Sequence, residues 1–339
     1  MPSTLRLAAV LKPMASRSSS REPGMKAHKG SGMLEHEPVM SLVVMNSKAE
    51  VSNYLSGLEP VGARDAARFE LSYTMSPEFL DELEPLITGR VPSLHACCPA
   101  TRNFPNFASA DPAVIAESFS DMKATLATAR RFGASIVVLH AGYVTDSPMS
   151  ALFKERSALL ARQEFAEDIR HADGAICGPD YNRTGKYMRH AARAKENLIT
   201  LAALYAREGV EVAAENLNPR VGYLFHTPDE MVEIASLHPN LGICLDVGHL
   251  YISSFAYGFD YIEGLRAIVA TGKVLTCHLH SNSSSPARFR DDHHSIDRNS
   301  FPIGKVLEAL APSGANLVLE LLEEPLRNHL LLRSLLSGS

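Results

Sequence analysis

The sequence predicts a (β/α)₈ barrel of the TIM type, on three observations. Short β-rich runs alternate with helical stretches from residue 38 onward, these runs number eight, and amphipathic segments lie between most of them. Eight strands with intervening helices fit a closed parallel barrel better than a six-stranded doubly wound sheet. A chain of 339 residues has room for one such barrel plus excursions from it.

The candidate strands, in order, are "MSLVVMN" (40–46), "ARFELSY" (67–73), "VPSLHAC" (91–97), "ASIVVLHAG" (134–142), "VEVAAENL" (210–217), "LGICLDVG" (241–248), "KVLTCHLHS" (273–281) and "NLVLELL" (316–322). Helices such as "DPAVIAESFSDMKATLATARRFG" and "TPDEMVEIASLHP" open on Asp111 and Thr227, residue types that cap a helix N-terminus. Two connections exceed what a barrel needs. Between the fourth and fifth strands, residues 144–185 precede a single long helix and are expected to form a lid or a contact surface, while residues 282–315 begin with the polar loop "SSSPARFRDDHHSIDRN". Residues 1–38 stand apart. The first 32 carry six Lys or Arg against one Glu and are Ser-rich, a composition read as a disordered basic extension, with an organellar transit peptide as the alternative. The barrel domain is expected over residues 39–339.

Composition limits the function classes. The chain is 45% hydrophobic and 21% charged, with a net charge of −5, which disfavours a protein that neutralises a long run of phosphates and makes nucleic acid an unfavoured partner. No apolar run approaches the roughly 18 residues of a membrane span. Five Cys without paired spacing, and no secretory signal, place free thiols in a reducing compartment, by default the cytosol. Oligomeric state is not legible.

The chemistry lies at the strand ends. His95, His140, Glu215, Asp246 with His249, His278 and Glu320 recur at the C-terminal ends of successive strands, where barrel enzymes assemble their sites. Alternation places Ala213 before Glu215, Cys244 before Asp246 and Val318 before Glu320 on one inward face. Any one of these alone reads as a satisfied core residue. Six strands each ending in an imidazole or carboxylate would be costly to bury together without a neutralising cation. Imidazole plus carboxylate, without paired Cys, suits Zn, Mn, Fe or Co over Ca, with Zn or Mn the expected metal at one to three ions per chain. Cys97 and Cys244 are read mainly as small apolar filling, and Glu70 as either a site carboxylate or a salt-bridge partner.

These residues resemble the xylose isomerase-like TIM barrels, a superfamily of sugar isomerases, sugar-phosphate epimerases and the endonuclease IV branch. The resemblance covers about residues 90–325. It implies four shared metal ligands at Glu215, Asp246, His278 and Glu320, and the endonuclease IV pattern adds His95, His140, His249, Asp291 and His293. Asp292 with His294 offers the same Asp-x-His spacing one residue later. The segments "HSIDRNSFPIG" and "NLNPRVGYLF" depart from that branch where a DNA-binding surface would be shaped. Glu215, Glu320 and His249 are the expected catalytic groups, and His280, Arg288 and Arg290 the expected substrate contacts. The first expectation is a divalent-metal-dependent isomerase or epimerase acting on a small sugar or sugar phosphate. A multi-zinc phosphoester hydrolase is the alternative, followed by a non-catalytic metal- or sugar-binding protein.

Overall fold

Eight short strands, each buried on both faces, leave a parallel sheet no stable choice but closure with helices outside, and the chain does this. In a computed structural model that describes residues 37–338, strands β1 (Val39–Ser41), β2 (Arg68–Leu71), β3 (Ser93–His95), β4 (Ile136–Leu139), β5 (Glu211–Glu215), β6 (Leu241–Asp246), β7 (Val274–Leu279) and β8 (Asn316–Leu319) form a closed barrel. All pairings are parallel between sequence neighbours, and Val39 opposite Val318 joins β1 to β8 and closes the ring. Most of the expected basic extension lies outside the described residues. No described helix is long and apolar enough to cross a membrane.

The helices follow in register: α1 (Lys48–Leu58), α2 (Pro77–Ile87), α3 (Pro112–Phe132), α4 (Gly185–Ala206), α5 (Pro228–Ser236), α6 (Tyr261–Val269), α7 (Ile303–Leu310) and α8 (Pro325–Ser337). The cap signals operate as read. The Asp111 carboxylate accepts from Ala113 N at 2.8 Å, and the Glu230 carboxylate reaches back to Thr227 N at 3.1 Å, each worth about 1 kcal/mol.

Strand lengths differ from the apolar runs. The run at 40–46 yields only Val39–Ser41, followed by a single 3₁₀ turn at Leu42–Val44, because its two neighbours pair with it over no more than three residues. Leu42 is nevertheless fully buried, so the run stayed apolar past the strand. The excursion after β4 carries a helix at Phe153–Leu160, a short helical turn at Gln163–Ala166 and an antiparallel pair formed by Ile169–His171 and Ile176–Cys177. Met149–Ser150 pairs with Asn103–Phe104, which ties the excursion to the loop after β3.

Candidate metal centre and catalytic cavity

Period-two alternation delivers the polar groups. Val138, Ala213 and Cys244 join Ile136 in a small apolar cluster separate from the main core, and His140, Glu215 and Asp246 each lie two residues further along the same strand faces. Burial pushes the Cys244 thiol well above its usual range, so it serves as neutral filling beneath the polar layer. All five Cys are free and buried.

Nine side chains, with His280, sort into three groups in each of which the ligand-type atoms lie within 4.8 Å of one another, and Cys244 forms a fourth, overlapping group with Glu215 and His278. In the first, His95 Nε2 is 3.0 Å and His140 Nε2 is 3.6 Å from Glu215 Oε2. The second joins Glu215, Asp246, His278 and Glu320, with His278 Nδ1 at 3.2 Å from Glu320 Oε2 and 3.8 Å from Glu215 Oε1. In the third, Asp291 receives His249 Nε2 and His293 Nε2, both at 3.3 Å, and His280 stands alongside. Glu215 thus faces two ways: its Oε2 serves the first group, and its Oε1 lies toward His278 and, at 3.4 Å, His249 Nδ1.

Each imidazole is oriented by its other nitrogen. His95 Nδ1 meets the Ala96 carbonyl at 2.9 Å, His140 Nδ1 the Tyr143 hydroxyl at 2.8 Å, and His293 Nδ1 the Glu320 carbonyl at 2.9 Å. His249 Nδ1 meets the Asn216 carbonyl at 3.1 Å. His278 uses Nε2 against Glu70 at 2.9 Å, and Glu70 also accepts from Ser93 Oγ at 2.6 Å. Glu70 is therefore a partner behind the site, and this arrangement of an outer acceptor behind each imidazole is the one that fixes tautomer and direction in metal centres.

The group fits a cation on its own chemistry. His278 Nδ1 is buried without a hydrogen-bond partner while three carboxylates surround it, a cost that a divalent ion would remove. Burial alone would lower the His249 and His278 imidazoles, yet the adjacent acids, Asp246 for His249 and Glu320 for His278 among them, hold both well above their ordinary range. Burial likewise favours a neutral Glu215, but His278, His249 and His95 pull it well below the usual carboxylate range. His140 goes the other way: burial lowers it to about 3, which keeps its imidazole neutral. The acids here are held ionised and ask for positive charge.

The strand-six segment explains its own odd composition. Asp246 caps the helix Val247–Tyr257 by accepting from His249 N at 2.6 Å, and its oxygens also meet His280 Nε2 at 3.0 and 3.2 Å. A Cβ on Gly248 would lie 2.1 Å from the His280 ring, so only glycine leaves room for that imidazole. His280 is fully buried beside Asp246 and stacked at 3.8 Å on His293.

The Asp-x-His ambiguity resolves geometrically. Asp291 and His293 face the cluster, whereas Asp292 bonds Ser283 N at 3.1 Å and His294 lies 3.2 Å from Glu323. His293 adopts a left-handed backbone with φ of 46°, a strained conformation of a kind that collects at functional sites. Arg288 does not join the site. Its backbone exchanges hydrogen bonds with Ser285 in a tight turn that leaves the residue exposed. Arg290 pairs with Asp173 at 2.9 Å beside the cluster.

Above the three groups lies a cavity of about 350 Å³. Its walls include Tyr73, Phe104, Arg156, Asn218, Arg220 and Tyr223, none of which the sequence pattern had marked. Arg156 comes from the excursion, donates through Nε to Tyr223 Oη at 3.1 Å, and lies 5.3 Å over the Phe104 ring. Asn218 Nδ2 donates to Asp291 at 2.7 Å. Asn218 sits three residues past Glu215, and that proximity was the one signal available for it.

A closed parallel barrel with a polyvalent carboxylate–imidazole centre at its C-terminal mouth defines the class. The description of the xylose isomerase-like TIM barrel family matches residues 69–331, and the chain belongs to that family. The match begins at the second strand, earlier than the residues quoted for the resemblance. A probable endonuclease 4 from Carboxydothermus hydrogenoformans is 29% identical over 170 residues, which is 47% of this chain and 58% of that protein, so the alignment spans little more than half of the relative. Among solved structures, a D-tagatose 3-epimerase-like protein superposes with a TM-score of 0.60 at 18% identity, covering 89% of this chain and 97% of the other. Endonuclease IV from Thermus thermophilus gives 0.56 at 15% identity, with 90% and 99% covered. L-ribulose 3-epimerase gives 0.55 at 18% identity, with 85% and 82% covered. At these identities the likenesses establish the fold, and both enzyme types share it.

Proposed function

We propose that the protein is a divalent-metal-dependent phosphoester hydrolase. The observation that carries this reading is the sorting of Glu215, Asp246, His278, Glu320, His95, His140, His249, Asp291 and His293 into three adjoining ligand groups. An isomerase needs only the four-residue group, and five further side chains oriented from behind would then be buried polar expense without return. This reverses the order of expectation from sequence alone. When bound, divalent ions such as Zn or Mn acidify water and neutralise phosphoryl oxygens.

The chain's own residues do the rest. Glu215 bridges the first and second groups, and Asp291 with His249 and His293 holds the third. Arg156 and Arg220 line the cavity as fixed cations suited to a phosphoryl group. Arg220 is anchored through Nε to the Gly174 carbonyl at 3.0 Å, which keeps its terminal nitrogens for a ligand. Burial raises the Tyr73 hydroxyl to about 12, so it stays a neutral donor toward a developing oxyanion. The negative total charge supports a small phosphoester over a long nucleic acid.

Epimerisation of a sugar or sugar phosphate remains the second reading, because Glu215 and Glu320 both line the cavity and flank His278 as a pair of acids for proton transfer. Metal analysis of protein purified without chelator separates the two. The hydrolase reading expects two or three ions per chain and cleavage of a simple p-nitrophenyl phosphodiester that is lost, with one ion, in His140→Ala. One ion per chain, no cleavage, and deuterium uptake from heavy water into a sugar would overturn it.

A further inference from the structure

A second compartment of about 200 Å³ opens beside the metal cavity and shares Phe153, Asn218, Arg220 and Asp291 with it. Its floor is apolar: Ile176, Ile252 and Phe289 pack as a buried cluster of their own. Phe153, 63% exposed, stands at the junction with the Arg220 guanidinium 5.5 Å from its ring. Two polar atoms of residues that line this compartment are buried without a hydrogen-bond partner: Asn218 Oδ1, an acceptor, and Arg290 Nε, a donor. The amide of Asn218 is fixed by its bond to Asp291, so Oδ1 cannot exchange places with the nitrogen without losing that bond. Buried polar atoms are satisfied in native proteins with few exceptions, and here an acceptor and a donor on two of the lining residues stand unsatisfied. Charge is balanced, since Arg220 and Arg290 line the compartment together with Asp291 and Asp292. That balance disfavours a second phosphate and favours a neutral flat group with its own donor and acceptor.

We infer that this compartment holds a planar heteroaromatic ring carried on the alcohol of the phosphoester, as in a nucleoside ester, while the phosphoryl group lies over the ligand clusters. The inference rests on the hydrolase reading and supplies its substrate class. It also gives the excursion after β4 a role, because Phe153, Gly174 and Ile176 all come from it.

The test compares two esters with the same leaving group, thymidine 5′-(p-nitrophenyl phosphate) and methyl p-nitrophenyl phosphate, on the metal-loaded full chain. The thymidine ester is expected to show kcat/KM higher by about tenfold or more, mainly through KM, on the scale of one or two buried hydrogen bonds. Arg290→Met, and Ile252→Trp as a cavity-filling variant whose folding is checked by thermal melting, should bring that ratio close to one. Equal kcat/KM for the two esters in the wild type would overturn the ring assignment and leave the hydrolase reading standing. If neither ester is cleaved, the hydrolase reading fails, and ligand-observed NMR of free thymidine decides the compartment alone: binding blocked by both variants supports it, and no binding overturns it. A thymidylate oligomer that binds more tightly than the mononucleoside ester would place the ring on a strand and overturn the small-molecule assignment.

Discussion

The strand-borne and loop-borne halves of the site are built by different means. His95, Glu215 and Asp246 end strands whose register is fixed on both sides, His278 lies one residue before the end of another, and Asp246 stands directly opposite His278 in the β6–β7 ladder. His249, Asp291, His293, Asn218 and Arg220 hang on a helix start and on two loops, held by caps, one strained backbone position and side-chain bonds to one another. A one-residue slip in the strands would turn every ligand out of the barrel, so that half is specified globally. Each loop residue can be displaced locally. The lesson is that position comes from the sheet and adaptation from the loops.

The largest test of this contrast strikes the strand side from behind. Glu70→Gln keeps the shape but weakens the hold on His278 Nε2, and metal affinity should fall by about 10- to 100-fold, the usual loss for a residue that orients a ligand. Competition with a chelating dye measures it. An unchanged affinity would mean that the strand itself, without Glu70, fixes His278.

The contrast also accounts for what could be read from the amino-acid order. All eight strands and the residues at their ends were legible because alternation has a fixed period of two. Their boundaries were less so: apolar runs continue past β1 and β8 into loops that pack just as tightly, as Leu42 and Leu321 do. In the loops the signal failed for definite reasons. Asp291 with His293 and Asp292 with His294 have equal spacing, and only the left-handed turn at His293 selects the first pair. Arg288 is sent outward by its turn. Arg156 reaches the cavity only because the excursion folds back onto Tyr223, a contact between residues 67 positions apart that no local pattern encodes.

A smaller effect is expected at the junction of the two halves. Gly248→Ala places a methyl against a ring that Asp246 holds, and should cost about 3 kcal/mol, the upper range for overpacking, with loss of the Asp246–His280 bond. Urea unfolding of the metal-free protein reads the stability directly. A cost below about 0.5 kcal/mol would show that the His280 ring moves freely and does not secure Asp246.

The smallest test concerns acid. His226, in the loop after β5, is held by burial, with His249 adding to the effect, at about 3, and its neighbours are Tyr181, Tyr187, Tyr257 and, through its backbone, Glu230. The folded protein keeps this imidazole neutral while the unfolded chain protonates it below its ordinary value near 6.5. The associated stability is therefore complete above about pH 6.5 and is lost progressively as pH falls toward 3, reaching about 2 kcal/mol by pH 5. His226→Asn should lose about 2 kcal/mol less than the wild type between pH 7 and 5 in paired melts. Identical slopes would show that the loop side is no more acid-sensitive than the barrel.

Glu215, with one oxygen turned to each of two ligand groups, carries a consequence for how the centre fills. On the hydrolase reading, Glu215 would be oriented by an ion held in one group and would so prepare half of the neighbouring position. Loading of the wild-type centre would then be cooperative, with partly filled chains disfavoured against empty and complete ones. The same sharing couples the two positions, because a substitution of Glu215 would disturb both at once.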